Sequence, residues 1–422
     1  MRGMVRVLLF PIILILITPH ELGRSASELL ISSIPLRGQL SDNPHIRILV
    51  MKNQKKVTLE VRAPYELIAG NETMQMSPTN PNIVIALTES GIQFGSLIIN
   101  ASLIKIKTKN QHFEIDGKSF RDDLVISRNS DSTFNIINDI GVEDYLKGVL
   151  PWEVSADWPM ETLKAQAIAS RTYAVFKMLE RAGQEHVLTS DVLAQVYVGK
   201  RIEKARTNQA IDETRGIIMM SGNFIFPGFF HSACAGQTTR AEYVWRIQPN
   251  AVLSSVPCSF CVGSKHDKWK TSLSLKKIES QIAARGFTIS PIQNIQLADP
   301  DPSGRARKVL IEHSKGTLVL DGNDFRVFVG PDAVRSTRMT VSVRGDMAYF
   351  SGSGWGHGVG LCQWGSKKMG ELGKTYPEIL LFYYPGSTLR NVYSAQSSLS
   401  QNNNDDLSFI ERMEQAVNEI FS

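Results

Sequence analysis

The sequence predicts an α+β fold, in which a β-rich N-terminal region packs on a mixed helix and strand domain that carries a binding cleft. From about residue 28 to residue 138, short segments alternate apolar with polar residues between turn residues, which is typical of half-buried strands. From residue 139 to residue 393, helical periodicity and strand-like runs follow one another, which favours segregated helices and sheets. The 422 residues suffice for two or three domains.

Composition and charge exclude one class of partner. The chain has 42% hydrophobic residues, as an ordinary globular protein does. Its 46 Lys and Arg against 41 Asp and Glu leave a formal net charge of +5, spread along the chain. An excess this mild and dispersed argues against nucleic acid as a partner, and it agrees with a polyanionic wall or a membrane surface.

The first residues have the pattern of a secretory signal. Arg2 and Arg6 precede an apolar run, Val7–Ile17, and the small residues Ser25–Ser27 follow. This order is typical of a signal peptide, and the run is short for a transmembrane helix. We therefore expect residues 1–27 to direct export to the periplasm or cell envelope, either cleaved near their end or retained as a membrane anchor.

The N-terminal region, residues 28–138, contains the segments expected to form strands. No linker separates it from the domain at residues 139–393, so we expect the two to pack together. The predicted strands are Ile46–Val50, Val57–Val61, Leu97–Ile99, Leu103–Ile106, Leu124–Ile126 and Phe134–Ile137.

Two helices are predicted between residues 142 and 179, with a bend between them. Pro151 is expected to stop the first helix, and Asp157 is the candidate cap of the second. Glu153 lies on the bend, where two packed helices would hold it rigidly.

Glu153 is the candidate catalytic residue because of its neighbours. Trp152 and Val154 flank it, and Trp158 follows closely. A carboxylate among apolar groups loses hydration, which raises its pKa, and a raised carboxyl pKa suits a general acid near neutral pH. The alternative is a surface glutamate with hydrophobic neighbours in sequence only.

Three cysteines and two histidines form a candidate metal centre. Cys258 and Cys261 supply two thiolates from one turn, and Cys234 with either His231 or His266 would complete a tetrahedral zinc site. The alternative is a disulfide, because exported chains meet oxidants. Three local cysteines cannot all pair with one another, which favours the metal.

A glycine-rich segment, Gly352–Gly360, is a further candidate site. Its glycines let the backbone approach another surface closely, and it lacks the Gly-Lys-Ser/Thr ending of a phosphate loop. His357 within it either donates to a ligand or packs to hold the loop. Gln363 begins the following helix, and Cys362 is interpreted as a lone small hydrophobe.

The C-terminal residues fall into two segments. Residues 394–404 are rich in Ser, Gln and Asn and predict a flexible linker. Residues 405–422 predict an amphipathic helix, which we expect to dock on the protein's own surface rather than on a partner or a membrane.

Long ordered motifs carry a resemblance to a known family. They are GVEDYLKGVLPWEVSADWPMETLKAQAIASRTYAVF at Gly141–Phe176, DVLAQVYVG at Asp191–Gly199, FFHSACAGQT at Phe229–Thr238, LDGNDFRVFVG at Leu320–Gly330, RST at Arg335–Thr337 and GSGWGHGVGLCQWGSKKMG at Gly352–Gly370. On these motifs the chain resembles the stage II sporulation protein D family, which includes LytB-type modifiers of cell-wall amidases. The similarity extends from about Ile46 to Val392.

The resemblance implies a glycan-binding cleft and a set of site residues. The family's catalytic members are lytic transglycosylases of peptidoglycan, and their acid/base glutamate lies in a Pro-x-Glu context that Pro151 and Glu153 match. Some members bind zinc in the cysteine stretch. The implied substrate-binding residues are Gln166, Arg171, Tyr173, Gln195, Tyr197, Ser232, His357 and Gln363. The expected ligands of a structural zinc are His231, Cys234, Cys258 and Cys261.

We therefore expect Glu153 to cleave the bond between N-acetylmuramic acid and N-acetylglucosamine without water, leaving 1,6-anhydro ends. The expected partners are peptidoglycan glycan strands and a cell-wall amidase or other division or septal proteins. Strands stripped of stem peptides are the substrate that the resemblance implies. The hydrogen-bonding cleft residues Gln195, Tyr197, His357 and Gln363 include no cationic cluster for peptide carboxylates. The alternative function is a non-enzymatic, glycan-binding modifier of an amidase.

Overall fold

The structure is a computed structural model that describes residues 31–77, 80–108, 112–189 and 197–394. The described residues confirm the α+β fold class. The predicted signal segment, the C-terminal helix and the linker beyond residue 394 lie outside them. No helix in the described part of the chain is both long and apolar enough to span a bilayer.

Strands dominate the chain up to residue 141. They are β1 (Ile34–Pro35), β2 (His45–Gln54), β3 (Lys56–Glu60), β4 (Tyr65–Ala69), β5 (Glu72–Met76), β6 (Asn82–Thr88), β7 (Gly91–Phe94), β8 (Leu97–Ile99), β9 (Leu103–Lys107), β10 (His112–Ile115), β11 (Lys118–Arg121), β12 (Asp123–Arg128) and β13 (Phe134–Gly141).

Most of these strands build two antiparallel sheets. One runs in the order β11-β10-β3-β6-β7-β8, and the other runs β14-β2-β13-β12-β9-β4-β5, where β14 (Leu188–Thr189) joins in parallel from beyond the helices. Alternate residues of β3 and β9 are buried, as their sequence pattern predicts. Apolar residues of both sheets belong to one buried core.

The helices follow from residue 142 onwards. They are α1 (Val142–Lys147), α2 (Leu150–Glu153), α3 (Met160–Glu180), α4 (Ala205–Glu213), α5 (Leu275–Ala283), α6 (Gly322–Val329), α7 (Gln363–Glu371) and α8 (Tyr376–Tyr383), with 3₁₀ turns at Lys200–Ile202, Ala241–Tyr243 and Ala251–Leu253.

The remaining strands are short or belong to small sheets. They are β15 (Ile217–Ser221), β16 (Phe224–Ile225), β17 (Phe230–His231), β18 (Gly236–Gln237), β19 (Pro257–Cys258), β20 (Trp269–Ser274), β21 (Ile292–Pro300), β22 (Ala306–His313), β23 (Gly316–Asp321), β24 (Met339–Arg344), β25 (Met347–Gly352), β26 (Leu361–Cys362) and β27 (Thr388–Asn391).

The long helix α3 is the centre of the second region. Most of its residues are buried on every side, and its small alanines let α7, α8 and the strand β15 approach it. Its apolar residues extend the core of the two N-terminal sheets, so the β-rich region and the helices pack as one body without a linker.

The bend before α3 differs in detail from the sequence prediction. The helix α1 ends at Lys147, and Pro151 lies in the first turn of α2 instead of ending a helix. Proline fits there because the first helical turn leaves its N–H groups without intrahelical partners. Pro159, rather than Asp157, immediately precedes α3.

The segment between Trp269 and Gly352 forms a unit with its own core. It contains the antiparallel sheets β20-β25-β24 and β21-β22-β23 together with α5 and α6. Its buried apolar residues form a cluster separate from the rest of the protein. The domain predicted as a single stretch therefore contains an inserted unit, and the glycine-rich segment begins where that unit ends.

Short backbone pairings bring the glycine-rich segment against the stretch that contains His231. The strands β17 and β26 pair in parallel, with His231 opposite Cys362, and Ala233 exchanges backbone hydrogen bonds with Trp355. Gly360 has a φ of +68°, and a Cβ there would lie 2.1 Å from the carbonyl oxygen of Phe229. Only glycine allows this approach.

Candidate active site and metal centre

Glu153 is held at the end of the short helix α2. The backbone N–H of Val154 closes this turn on the carbonyl of Leu150, at 3.1 Å. The side chain is half-buried, and its Oε2 accepts a hydrogen bond from Nε2 of Gln363 at 3.3 Å. The structure thus brings together two residues that the sequence analysis names separately, and an amide donor orients the carboxyl group.

Gln363 reaches Glu153 because α7 is packed closely on α3. The hydroxyl of Thr162 in α3 donates to the carbonyl of Ser366 in α7, at 3.0 Å. A Cβ on Gly370 would lie 2.4 Å from the hydroxyl oxygen of Thr162, so glycine permits the close contact. This packing fixes the distance between the glutamate and its amide donor.

A buried tyrosine lies behind Glu153. Burial raises the pKa of Tyr145 well above its usual value, and the charges of Tyr173 and Glu153 raise it further. The phenol therefore stays protonated at neutral pH and remains a hydrogen-bond donor. Trp152, next to Glu153, is instead 59% exposed, so its ring faces solvent and does not desolvate the carboxyl group, contrary to the sequence interpretation.

Two of the predicted substrate-binding residues are structural. Arg171 is fully buried, and its guanidinium forms a double hydrogen-bonded ion pair with Glu143, each contact 2.7 Å long. Tyr197 is also buried, and its hydroxyl donates to Asn138 at 2.7 Å. Neither side chain can contact a ligand at the surface, so both assignments are corrected.

Three other residues predicted to bind substrate differ in how deeply they are buried. Gln166 is 1% exposed and donates to Ser170 at 3.2 Å, so it too packs inside the protein. Tyr173 and Ser232 are half-buried, and the carbonyl of Ser232 accepts the backbone N–H of Trp364 at 3.0 Å. Gln195 lies outside the described residues.

His357 packs and holds the glycine-rich loop, which is the second of its two interpretations. Its Nδ1 accepts the backbone N–H of Val359 at 3.1 Å, and its ring lies 4.9 Å from that of Trp245. Burial lowers the pKa of His357 well below its usual value, and the nearby His231 lowers it further. The ring is therefore neutral and does not serve as a cationic donor.

Four aromatic rings form a row that starts beside the catalytic candidate and that the sequence analysis does not single out. Trp158 follows Glu153 in the chain, and its ring lies 5.5 Å from that of Trp364, the neighbour of Gln363. The row continues with His266 at 5.6 Å from Trp364 and Trp355 at 4.7 Å from His266. Tryptophan faces suit the apolar C–H faces of sugar rings.

Cationic side chains cover this row of Trp158, Trp364, His266 and Trp355, hereafter the aromatic row. These cations are not among the cleft residues named from the sequence. Lys265 and Lys367 lie over Trp364, with Nζ 5.5 and 5.4 Å from the ring centroid, and Arg335 lies over Trp355 at 5.0 Å. They come from three separate segments of the chain, so no local sequence pattern groups them.

Four thiols form the candidate metal centre. The Sγ atoms of Cys234, Cys258, Cys261 and Cys362 lie within 4.8 Å of one another, and all four side chains are buried. Cys234 and Cys261 are 3.3 Å apart at Sγ, and all four cysteines are free thiols. Thiolates bound to zinc at about 2.3 Å would stand roughly 3.8 Å apart, so the cluster fits a tetrahedral zinc site.

Donors around the cluster favour ionised sulfur. The backbone N–H groups of Cys234 and Gly365 point at Sγ of Cys362, at 3.3 and 3.4 Å, and the hydroxyl of Tyr383 lies 3.2 Å from Sγ of Cys258. Burial nonetheless raises the pKa of the Cys362 thiol well above its usual value. A central cation is what would allow all four thiols to ionise together.

The fourth ligand position is corrected from His231 to Cys362. The parallel pairing of β17 with β26 brings Cys362 to the cluster, so it is not a lone small hydrophobe. The Nδ1 of His231 is hydrogen-bonded to the carbonyl of Val359 at 3.0 Å. Burial and the charge of Arg305 lower the pKa of His231 to about 3, so its ring is neutral.

Two protein-family models match the chain. The model described as stage II sporulation protein matches residues 130–220, which include Glu153 and the whole of α3. A model described as a domain of unknown function matches residues 261–360, which cover the inserted unit.

Curated relatives cover more of the chain. An uncharacterized protein of Brachyspira hyodysenteriae is 30% identical over 344 residues, which are 81% of this chain and 91% of that protein. The stage II sporulation protein D of Bacillus amyloliquefaciens is 28% identical over 63% of this chain and 78% of its own length. The amidase enhancer of Bacillus subtilis is 26% identical over 58% of this chain and 40% of its own length.

Proposed function

The chain belongs to the stage II sporulation protein D family and has a cell-wall-related role, and from this premise we propose that it is a peptidoglycan lytic transglycosylase. The observation that carries the proposal is the half-buried carboxyl group of Glu153, oriented by the Gln363 amide at one end of the aromatic row. Wall remodelling during division or a sporulation-like process is the proposed setting, and export to the envelope is the proposed location.

In the proposed reaction Glu153 acts first as an acid and then as a base. Its protonated carboxyl group donates to the oxygen of the bond between N-acetylmuramic acid and N-acetylglucosamine, and that bond breaks. The resulting carboxylate then takes the proton of the muramic C6 hydroxyl, whose oxygen attacks C1 and closes a 1,6-anhydro ring. The hydrogen bond from Gln363 holds the carboxyl group in one orientation for both transfers.

A single carboxyl group suffices because the attacking hydroxyl belongs to the substrate. Ordinary glycosidases need a second carboxylate as base or nucleophile. The carboxylates that follow Glu153 in sequence have other surroundings: Asp157 is exposed, and Glu161 accepts the backbone N–H of Tyr376 at 2.8 Å and so caps α8. These surroundings support the one-carboxyl scheme.

The proposed substrate is a glycan strand from which an amidase has removed the stem peptides. This preference rests on the family resemblance, and the neutral hydrogen-bonding side chain of Gln363 suits a sugar. The cysteine cluster would hold a structural zinc through Cys234, Cys258, Cys261 and Cys362. The zinc would supply a cross-link between distant chain segments, and four thiolates would leave it no open position for substrate.

A second candidate function is a glycan-binding modifier of a cell-wall amidase. It is favoured by the similarity to the Bacillus subtilis amidase enhancer. In this case Glu153 would contribute to glycan binding without cleavage, and the partner would be the amidase itself.

Digestion of purified, denuded glycan strands separates the two functions. A lytic transglycosylase releases products with 1,6-anhydromuramic ends, each lighter by one water than a hydrolysis product. Products with reducing ends would mean a hydrolase with a second carboxylate. Binding without any cleavage would support the modifier.

A further inference from the structure

Two cations over the aromatic row have no carboxylate partner among the described residues. Lys367 is held by Glu371 at 2.6 Å, so its charge is already compensated. Lys265 is exposed and Arg335 is half-buried, and each lies over a tryptophan of the aromatic row. Their charges therefore remain available to a ligand that lies on the row.

Backbone hydrogen bonds tie together the chain segments that carry these two charges. The backbone N–H of Gly354 donates to the carbonyl of His266 at 2.9 Å, and the N–H of Gly356 donates to the carbonyl of Arg335 at 2.8 Å. The glycine-rich loop thus holds the residue pair before the inserted unit, Lys265 and His266, next to the segment of that unit that carries Arg335. Tryptophan faces fix both cations in place, which lowers the entropy cost of using them for binding.

His266 lies between the two tryptophans that carry these cations, Trp355 and Trp364. It is 7% exposed. Burial, together with the charges of Lys265 and Arg335, lowers its pKa to about 4. The ring is therefore neutral at physiological pH, and the net positive charge of the row comes from the lysine and the arginine.

We propose that Lys265 and Arg335 bind a carboxylate carried by the muramic residues of a glycan strand lying along the aromatic row. Removal of a stem peptide at its amide bond leaves the lactyl ether of each muramic residue as a free carboxylate. An intact strand instead carries its carboxylates on the peptides, farther from the sugar rings. The two cations lie at the rings along which the strand would run, so they are closer to a carboxylate on the sugar itself than to one at the end of a peptide, which favours the lactyl carboxylate.

This inference rests on the proposed function only in taking a glycan strand as the ligand. It gives the proposed preference for denuded strands a physical cause, namely a charge that the strand acquires when its peptides are removed. The aromatic row supplies stacking for any strand, while the cations distinguish carboxylated strands from neutral ones.

The test measures binding in a Glu153→Gln background, so that no strand is consumed. The probes are denuded strands, chito-oligosaccharides of the same length, which lack the lactyl group, and strands with intact peptides. The variants are Lys265→Gln, Arg335→Gln and both together. Lys276→Gln removes one exposed charge from α5 as a matched control, and Lys265→Arg keeps the charge over the ring.

We expect the double variant to bind denuded strands roughly tenfold more weakly and chito-oligosaccharides about equally well. Higher ionic strength should reduce this difference. Lys265→Arg and Lys276→Gln should bind as the parent does. Thermal unfolding of each variant shows whether the fold is kept.

Equal losses on carboxylated and neutral strands would overturn the inference, because the cations would then only hold the rings. So would unchanged binding to denuded strands. A loss confined to intact strands would reassign the carboxylate to the stem peptide and overturn the lactyl assignment. Failure of the parent to bind any strand would instead sink the proposed function itself.

Discussion

Replacement of Cys362 by serine tests the metal centre at the position where the structure departs from the sequence prediction. Cys362 is fully buried, and two backbone N–H groups point at its sulfur. Serine keeps the size of the side chain but is a poor ligand for zinc. We expect the zinc content to fall from about one per chain to nearly none.

The expected loss of stability follows from the burial of the cluster. Removal of one partner from a buried charged group costs about 3–5 kcal/mol, and metal binding to such a site contributes directly to folding free energy. At about 2.1 cal/mol/K of unfolding entropy per residue, each kcal/mol corresponds to roughly 1 °C for a chain of 422 residues. The midpoint of thermal unfolding should therefore fall by about 5 °C.

The assay is elemental analysis of purified protein together with thermal unfolding, and His231→Ala serves as the control. His231→Ala removes a buried ring and costs stability, but it should keep its zinc. Retention of zinc by Cys362→Ser with loss of zinc in His231→Ala would refute the four-cysteine assignment. A wild-type protein without metal and with a disulfide between Cys258 and Cys261 would refute the metal altogether.

Three further results are expected. Glu153→Gln should lose about 10²–10⁴ of the cleavage rate, toward the upper end because one group plays both roles, and it should still bind denuded strands in a pull-down; full activity would remove Glu153 from the site. Gln363→Ala should lower kcat by about tenfold with little change in thermal stability, and an unchanged kcat would show that the amide does not orient the carboxyl group. In Asp139, burial pushes the pKa up, but hydrogen bonds and charges from His45 and Lys105 outweigh it and lower the pKa to about 2. The ionised Asp139 therefore contributes about 2 kcal/mol to the free energy of unfolding above pH 4, and this contribution is lost as the pH falls toward 2. In acid denaturation, Asp139→Asn should lose less stability between pH 4 and pH 2 than the wild-type protein does.

Local patterns in the sequence sufficed for the fold class and for part of the site. Strand alternation and helical periodicity arise between near neighbours in the chain, so the β-rich region and the helix α3 are predictable from composition and spacing. The motif around Glu153 and the pair Cys258 and Cys261 are also local. The ends of the elements are predicted less accurately than the elements themselves. Pro151, which the sequence predicts to end a helix, lies in the first turn of one.

Periodicity could not separate cleft residues from buried ones on α3. This helix is covered on nearly all sides, so every face of it carries packed residues, and a polar side chain on any face can be internal. Arg171 shows the consequence, because its partner Glu143 comes from another helix and compensates its charge inside the core. Arg171, which the sequence places among the substrate-binding residues, is therefore fully buried.

The composition and motifs of the chain by themselves determined an α+β protein of this family with Glu153 at its centre. Only the tertiary structure decided which residues surround that glutamate and which sulfur completes the cluster. Gln363 meets Glu153 across 210 positions, and Cys362 meets Cys234 across 128. Such contacts depend on strand pairing and helix packing, which act through space and leave no periodic signal along the chain.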